Sequence, residues 1–271
     1  MRTGFSGEVA GYYARHRRGY PPEVIDAIGR TFGLGGQDVV VDLGCGTGQL
    51  SVPLAARVGT LVGVDPAPDM LTRARHAARD AGRDNTIWLL GDDRNLPALG
   101  PLVGDRRLAA LTVAVAIHFM DRDLLFRRAR TLLRAGGGVA VVTNGTPLWL
   151  QDTEWSPVLR GCLQRLVGRP VTAACQTDEA GRRRNRDALA AAGYRYLESS
   201  VRYAAPLTVE DMVGGVFSAM SADQLPAPAR RAAFADEVRT ALDGRDAVTE
   251  QVEVWLQFGL LDRAERFGAD R

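Results

Sequence analysis

Three glycines alternate behind the acid that ends an apolar run, in Val39-Val40-Val41-Asp42-Leu43-Gly44-Cys45-Gly46-Thr47-Gly48-Gln49-Leu50. The β-branched run reads as a buried strand, and the glycines as a tight strand-to-helix turn. Only glycine lets backbone N–H groups approach a ligand closely at such a turn. A second apolar run, Leu61-Val62-Gly63-Val64, ends in Asp65. That acid stands about 20 residues on, where a ribose-binding carboxylate is expected. The two features together imply a nucleoside-bearing cofactor at the carboxyl edge of a parallel sheet.

The order of the glycines narrows the cofactor. Nicotinamide and flavin sites use G-x-G-x-x-G, whose last glycine lets helix and strand pack closely. Here Gln49 stands in that place. An acid ahead of the turn also suits a ligand with an ammonium better than a pyrophosphate. Asp42 to Gly48 resembles the first motif of the class I S-adenosylmethionine-dependent methyltransferases, and Gly63-Val64-Asp65-Pro66-Ala67-Pro68-Asp69-Met70-Leu71 resembles their second. The resemblance implies that Asp42, Gly44 and Gly46 serve the methionine part and that Asp65, with Pro66 beside it, binds the ribose. It further implies that Met70 packs on adenine and that S-adenosylhomocysteine is the product. Gly91-Asp92-Asp93-Arg94-Asn95-Leu96-Pro97 resembles the third motif. Asp92 holds its adenine-binding place, Asp93 replaces the usual alanine, and either acid is a candidate for the adenine amino group.

The acceptor side is written less firmly. Ala116-Ile117-His118-Phe119-Met120-Asp121 follows the fourth strand and resembles the A-x-H-W-x-D motif of a small-molecule subgroup, the methyltransferase type 11 and trans-aconitate methyltransferase-like enzymes. A histidine there can take a proton from a hydroxyl or amine, or else pack on the cofactor. Tyr13-Ala14-Arg15-His16-Arg17-Arg18-Gly19-Tyr20-Pro21 resembles the subgroup's Y-x-x-x-R-P-x-Y-P segment, with Arg18 for proline. The resemblance implies that this segment closes over the cofactor and that Tyr13 or Arg17 bonds the methionine carboxylate, which an arginine fork fits. His16 reads as a surface residue. Tyr20, Phe119, Trp149 and Trp155 are the residues expected to face the acceptor.

Strand–helix alternation with near-continuous apolar strands is the pattern of a doubly wound, mostly parallel α/β sheet. Seven strands are expected near 39–43, 61–65, 87–90, 108–115, 139–143, 196–203 and 248–256, the last antiparallel. The resemblance makes this a Rossmann-like methyltransferase fold. One domain covers 1–271: a helical cap (1–36), a cofactor-binding half (37–145), a lid insertion (146–181) and the rest of the sheet (182–271). All 34 basic residues are arginine, so lysine chemistry is excluded, and a net charge of +2 gives no case for a polyanion. The run Arg182-Arg183-Arg184 with Arg186 reads as a solvated helix face, so no nucleic-acid partner is expected. Three scattered histidines and three unpaired cysteines (Cys45, Cys162, Cys175) suggest neither a metal site nor a disulfide framework. With no run of about 18 apolar residues and no apolar leader, a cytoplasmic protein off the membrane is expected. The expected activity is methyl transfer to a small molecule, in keeping with secondary metabolism. A binding module or templating cyclase of the same fold, or a nucleic-acid methyltransferase, are the alternatives.

Overall fold

The computed structural model describes residues 4–103, 107–172 and 176–262; Cys175 lies outside them. Helices α1 (Glu8–His16) and α2 (Pro22–Phe32) lead into β1 (Val39–Leu43), α3 (Ser51–Ala55), β2 (Thr60–Asp65), α4 (Pro68–Asp80) and β3 (Thr86–Leu90). A 3-10 turn (Asp93–Leu99) and α5 (Gly100–Val103) precede β4 (Leu108–Ala114), α6 (Arg122–Leu132) and β5 (Leu133–Val142). The chain then runs through α7 (Ser156–Val167), α8 (Glu179–Ala191), β6 (Arg195–Thr208), α9 (Val209–Phe217), α10 (Pro228–Ala241) and β7 (Ala247–Leu260). Proline opens α2, α4, α7 and α10 in the first turn, where its missing N–H costs nothing.

The strands form one sheet in the order β3-β2-β1-β4-β5-β7-β6. The first five pair in parallel, and β7 runs antiparallel to both β5 and β6. Apolar side chains leave each face in turn. Val41, Leu43, Val62, Leu111 and Val139 pack on α6 and α8 through Leu125, Phe126, Ala129 and Leu189. Val40, Leu61, Ala110 and Ala140 pack on α2 through Val24, Ile28 and Phe32. Burial on both faces is why the parallel strands read as continuous apolar runs rather than alternating ones.

Two features differ from expectation. Gly136, Gly137 and Gly138 lie inside β5, because α6 ends at Leu132 and the strand begins at once. The small residues are needed there: a Cβ on Gly138 would strike the Gly259 backbone of the neighbouring strand. The segment expected as a lid, 146–181, also packs with elements outside those bounds. A third core joins Leu148, Trp155, Leu159 and Leu163 to Met212, Val216, Phe217, Phe234 and Val238, so α9 and α10 belong to it. These two helices sit between β6 and β7, whose 14-residue ladder runs well past the five β7 residues that pair with β5. The long β6–β7 ribbon thereby carries the lid beyond the carboxyl edge of the sheet.

Candidate functional site

The carboxyl ends of β1 and β2 are tied together by the glycine turn. Gly44 (φ 71°) and Gly46 (φ 54°) take left-handed conformations, which a side chain would disfavour. The Gly44 and Cys45 N–H groups donate to the Val64 carbonyl at 2.8 and 3.1 Å. Asp65 receives the Gly46 N–H on one carboxylate oxygen and the Ala67 N–H on the other, each at 2.9 Å. Its side chain is nearly closed off, and burial raises its pKa against the pull of those two donors. Each oxygen keeps a further lone pair, the complement of a ribose diol. Met70 is buried with Ala10 and Ala67, against Phe5 and Tyr13 of the N-terminal segment. The Tyr13 ring lies over the turn, 3.7 Å from where a Gly46 Cβ would stand. These residues fit a nucleoside cofactor laid across the turn.

Asp42 departs from the expected ligand role. Its side chain is buried at 1% exposure; one oxygen accepts from Ser51 at the start of α3 and the other from Thr112 of β4 at 2.7 Å. Sequence spacing gives the acid but not these partners, which arrive from 9 and 70 residues away. Asp42 therefore ties the turn to its helix and to the next strand. Burial pushes its pKa to about 6, the two hydroxyls opposing the shift. A folded-state pKa above the ordinary value means that ionisation costs stability as pH rises from about 4 to 6 and beyond. Asp42→Asn is expected to be as stable as the parent at pH 4 and to gain roughly 1–3 kcal/mol on it by pH 8. Chemical denaturation at the two pH values checks this; a gap independent of pH would contradict it.

Asp92 is likewise committed. It caps the 3-10 turn by accepting the Arg94 N–H at 2.9 Å, while Asn95 accepts the Asp92 N–H at 3.0 Å. The Arg94 guanidinium closes on the same carboxylate and holds its pKa low. Asp93 is partly exposed and carries no such clamp among the described residues. A cavity of about 230 Å³ runs from Val64 and Leu89 to Gly91, Asp92 and Leu96, beside the ends of β2 and β3.

At the end of β4, Val115 holds φ 51°. A β-branched residue there is strained by order 1–3 kcal/mol. The sequence carries no signal of it, since nothing marks valine for a left-handed turn. The bend brings Ala116 against Gly44 and starts the 3-10 turn Ile117–Phe119. His118 is largely buried, its Nδ1 has no hydrogen-bond partner among the described residues, and its ring lies 3.9 Å from that of half-exposed Phe119. Desolvation, helped by Arg122, lowers its pKa to about 4. The imidazole is therefore neutral near pH 7 and able to accept a hydrogen bond or proton. Its NMR shifts are expected to stay flat from pH 8 to 5 and to move only below; a midpoint near 6.5 would show an open, solvated ring.

The cap and lid meet above this edge. Tyr13 stacks under the Arg17 guanidinium at 5.3 Å, and Arg17 Nε donates to Ser218 of the lid at 2.8 Å. Burial raises the pKa of Tyr13, and that of Tyr20 well above the phenol range. Tyr20 packs on the core beneath α2. His16 is no surface residue: its ring lies on Gly214 and its Nδ1 stands 3.0 Å from Asp211, so it joins α1 to α9. Trp155 is a lid-core residue, 6% exposed, with its N–H on the Thr249 carbonyl at 3.1 Å. It does not face the cleft as expected. Trp149 is partly buried and its Nε1 is unpaired among the described residues. Glu250, which sequence reasoning passed over, is buried on β7 and holds Arg18 at 2.6 Å. Arg18 in place of proline was its one visible signal.

Comparison with known proteins bears on the domain and the fold. Residues 40–137 match the family described as a methyltransferase domain. An uncharacterized methyltransferase of Mycobacterium tuberculosis is 35% identical over 142 residues, 51% of each chain. A ubiquinone biosynthesis O-methyltransferase of Azorhizobium caulinodans is 35% identical over 109 residues, 38% of this chain and 39% of the relative. The chain thus spans about half or less of the curated relatives it matches. Among solved structures, a candidate type II methyltransferase of Anaeromyxobacter dehalogenans aligns with a TM-score of 0.57 at 17% identity, covering 90% of this chain and 96% of that one. The YcgJ protein of Bacillus subtilis aligns at 0.54 and 16%, covering 89% and 99%. At such identities these two show the fold.

Proposed function

From the premise that this chain carries a class I S-adenosylmethionine-dependent methyltransferase domain, we propose that it transfers the methyl group of S-adenosylmethionine to a small-molecule acceptor, in a secondary-metabolic setting. The observation that carries the acceptor size is the roof over the cleft. Four ties hold the N-terminal segment across the carboxyl edge: Gly7 N–H to Asp69 (2.6 Å), His16 to Asp211, Arg17 to Ser218 and Arg18 to Glu250. Such a cover supports an acceptor small enough to pass beneath it. The arginine-rich face of α8 is also spoken for in large part, with Arg182 stacked 4.2 Å from the Trp255 ring and Arg186 paired with Asp187.

The sulfonium supplies an already activated methyl group. Asp65 holds the ribose, the Gly44–Gly46 turn leaves room for the methionine part, and Tyr13 and Arg17 close over it. Neutral His118 receives a proton from, or aligns, the acceptor. Alignment and exclusion of water supply much of the rate in such a transfer. Calorimetry with S-adenosylhomocysteine tests the cofactor, and labelled-methyl transfer to an acceptor panel tests turnover. Tight cofactor binding with turnover in no acceptor would favour the non-methylating alternative. His118→Ala is expected to lower turnover by roughly 10²- to 10⁴-fold if it moves the proton, with cofactor affinity nearly unchanged. The reverse pattern assigns the ring to cofactor packing.

A further inference from the structure

We propose, resting on the methyl-transfer reading above, that Arg122 is a positioning residue for His118: a buried hydrogen-bond chain through Asn185 and Gln257 holds its guanidinium at the foot of the His118 turn, where its charge keeps the imidazole neutral to receive a proton. The turn and α6 join without slack. Phe119 N–H donates to the Ala116 carbonyl at 3.0 Å, Met120 N–H to the Ile117 carbonyl at 3.2 Å, and Leu124 N–H to the Asp121 side chain at 3.0 Å. Arg122 is the first residue of α6, one helical turn past His118 in the chain. Two ties fix its guanidinium. Nε donates to Asn185 Oδ1 at 2.7 Å, and Nη2 donates to the Gln176 side-chain oxygen. Asn185 Nδ2 donates in turn to Gln257 Oε1 of β7 at 2.9 Å. Gln257 Nε2 donates to the Arg182 carbonyl at 2.9 Å and to the Tyr196 hydroxyl at 2.6 Å, and that hydroxyl donates to Glu198.

The donors all point one way, from Arg122 toward Glu198, and this fixes both amide orientations. Flipping Gln257 would set its oxygen against the Arg182 carbonyl, and flipping Asn185 would turn its NH2 group onto the Arg122 guanidinium. Asn185 and Gln257 are buried in surroundings where Leu189 and Leu256 are the neighbours of the same helix and strand. Leucine at either place would avoid the cost of burying an amide, so the polar pair is there for what it holds. The guanidinium needs such a hold. Desolvation and the like charge of Arg184 disfavour its charge, with Asp123 opposing them. A cavity of about 540 Å³ opens beside it between α6 and α8, lined also by Met120, Asp121, Asp123, Arg184 and Asp187. Cut loose, the side chain would turn into that space toward Asp123 and Asp187, away from the His118 turn. In place, its charge adds to desolvation in disfavouring a second positive charge on the His118 ring.

The test titrates the His118 ring by NMR in the full chain, with no acceptor present. Arg122→Gln is expected to raise the midpoint by about half a pH unit or more. Arg122→Lys keeps the charge but loses the Nε bond to Asn185, so its midpoint should lie between those of the parent and Arg122→Gln. Asn185→Leu keeps Arg122 and cuts the chain, and should also raise the midpoint. Arg184→Gln removes a charge from the same cavity with the chain left whole, and should leave the midpoint where it is. Thermal unfolding reports that each variant is folded; where Asn185→Leu is not, Arg122→Lys decides. A midpoint unmoved in Arg122→Gln or in folded Asn185→Leu, the same in Arg122→Lys as in the parent, or raised as far by Arg184→Gln overturns the assignment. The expected shifts in a protein that binds no S-adenosylhomocysteine keep Arg122 as the residue that positions the ring and overturn the methyl-transfer reading instead.

Discussion

Replacing Asp65 by Ala is expected to weaken S-adenosylhomocysteine binding by roughly 2–3 kcal/mol, about 30- to 150-fold. Two effects add. The substitution removes both acceptors for the ribose hydroxyls, and it frees the Gly46 and Ala67 N–H groups that now hold the turn in shape. Stability should change less than affinity. The burial that raises the carboxyl's pKa means that the native charge already costs stability above the ordinary carboxylate range, and its removal offsets part of the lost bonding. Asp65→Asn keeps one acceptor and should fall between parent and alanine. The same raised pKa sets the sign of the pH dependence. Cofactor affinity in the parent should fall with acidification sooner than an unperturbed aspartate would allow, and that acid limb should vanish in Asp65→Ala. Calorimetry across pH 4.5–8, with thermal unfolding alongside, separates the two quantities. An affinity within threefold of the parent would remove Asp65 from the cofactor site.

The half of the molecule that holds the cofactor was legible because its signals are local. Val39 to Gly48 contains a strand, its stop and the turn residues in ten consecutive positions, and the parallel strands fall within a residue of their expected places except β5, which starts at Leu133 rather than 139. Where partners come from far along the chain, the sequence was silent. Asp42 reads as a ligand beside the glycines until Thr112 and Ser51 are seen to occupy it. Trp155 reads as an aromatic wall, because periodicity reports that a face is apolar and not what covers it; its cover is α9 and α10, some 60–80 residues on. His16 was misplaced for a related reason. The pocket for its ring is made by the missing side chain of Gly214, and a glycine inside a helical pattern does not announce what will fill it. The Val115 bend is of another kind: a local rule broken where the chain leaves β4 for the His118 turn.

Gly44→Ala should destabilise the fold by about 2–4 kcal/mol and abolish measurable cofactor binding. The sum has two parts. Alanine at φ 71° costs about 1 kcal/mol in the left-handed region. Its Cβ would stand 2.5 Å from the Ala116 Cβ, with the Met120 methyl at 3.4 Å, and overpacking of this kind costs about 1–3 kcal/mol more. Met120 is flexible and can yield, but Ala116 has no rotamer to change. Either the turn or the β4 exit must move, and each carries part of the site: Gly46 with the Asp65 contact on one side, His118 on the other. Gly46→Ala supplies the control. Its φ of 54° imposes a similar conformational cost, yet its Cβ meets only Tyr13, at an ordinary 3.7 Å, so about 1 kcal/mol is expected. Ala116→Gly in the Gly44→Ala background removes the collision and leaves the backbone strain. It should recover the packing part of the loss and raise the double variant's stability to the Gly46→Ala level. A double-mutant cycle by denaturant unfolding measures that coupling directly. A coupling near zero would mean that Gly44 and Ala116 do not touch, and with it would go the packing of the His118 turn against the glycines.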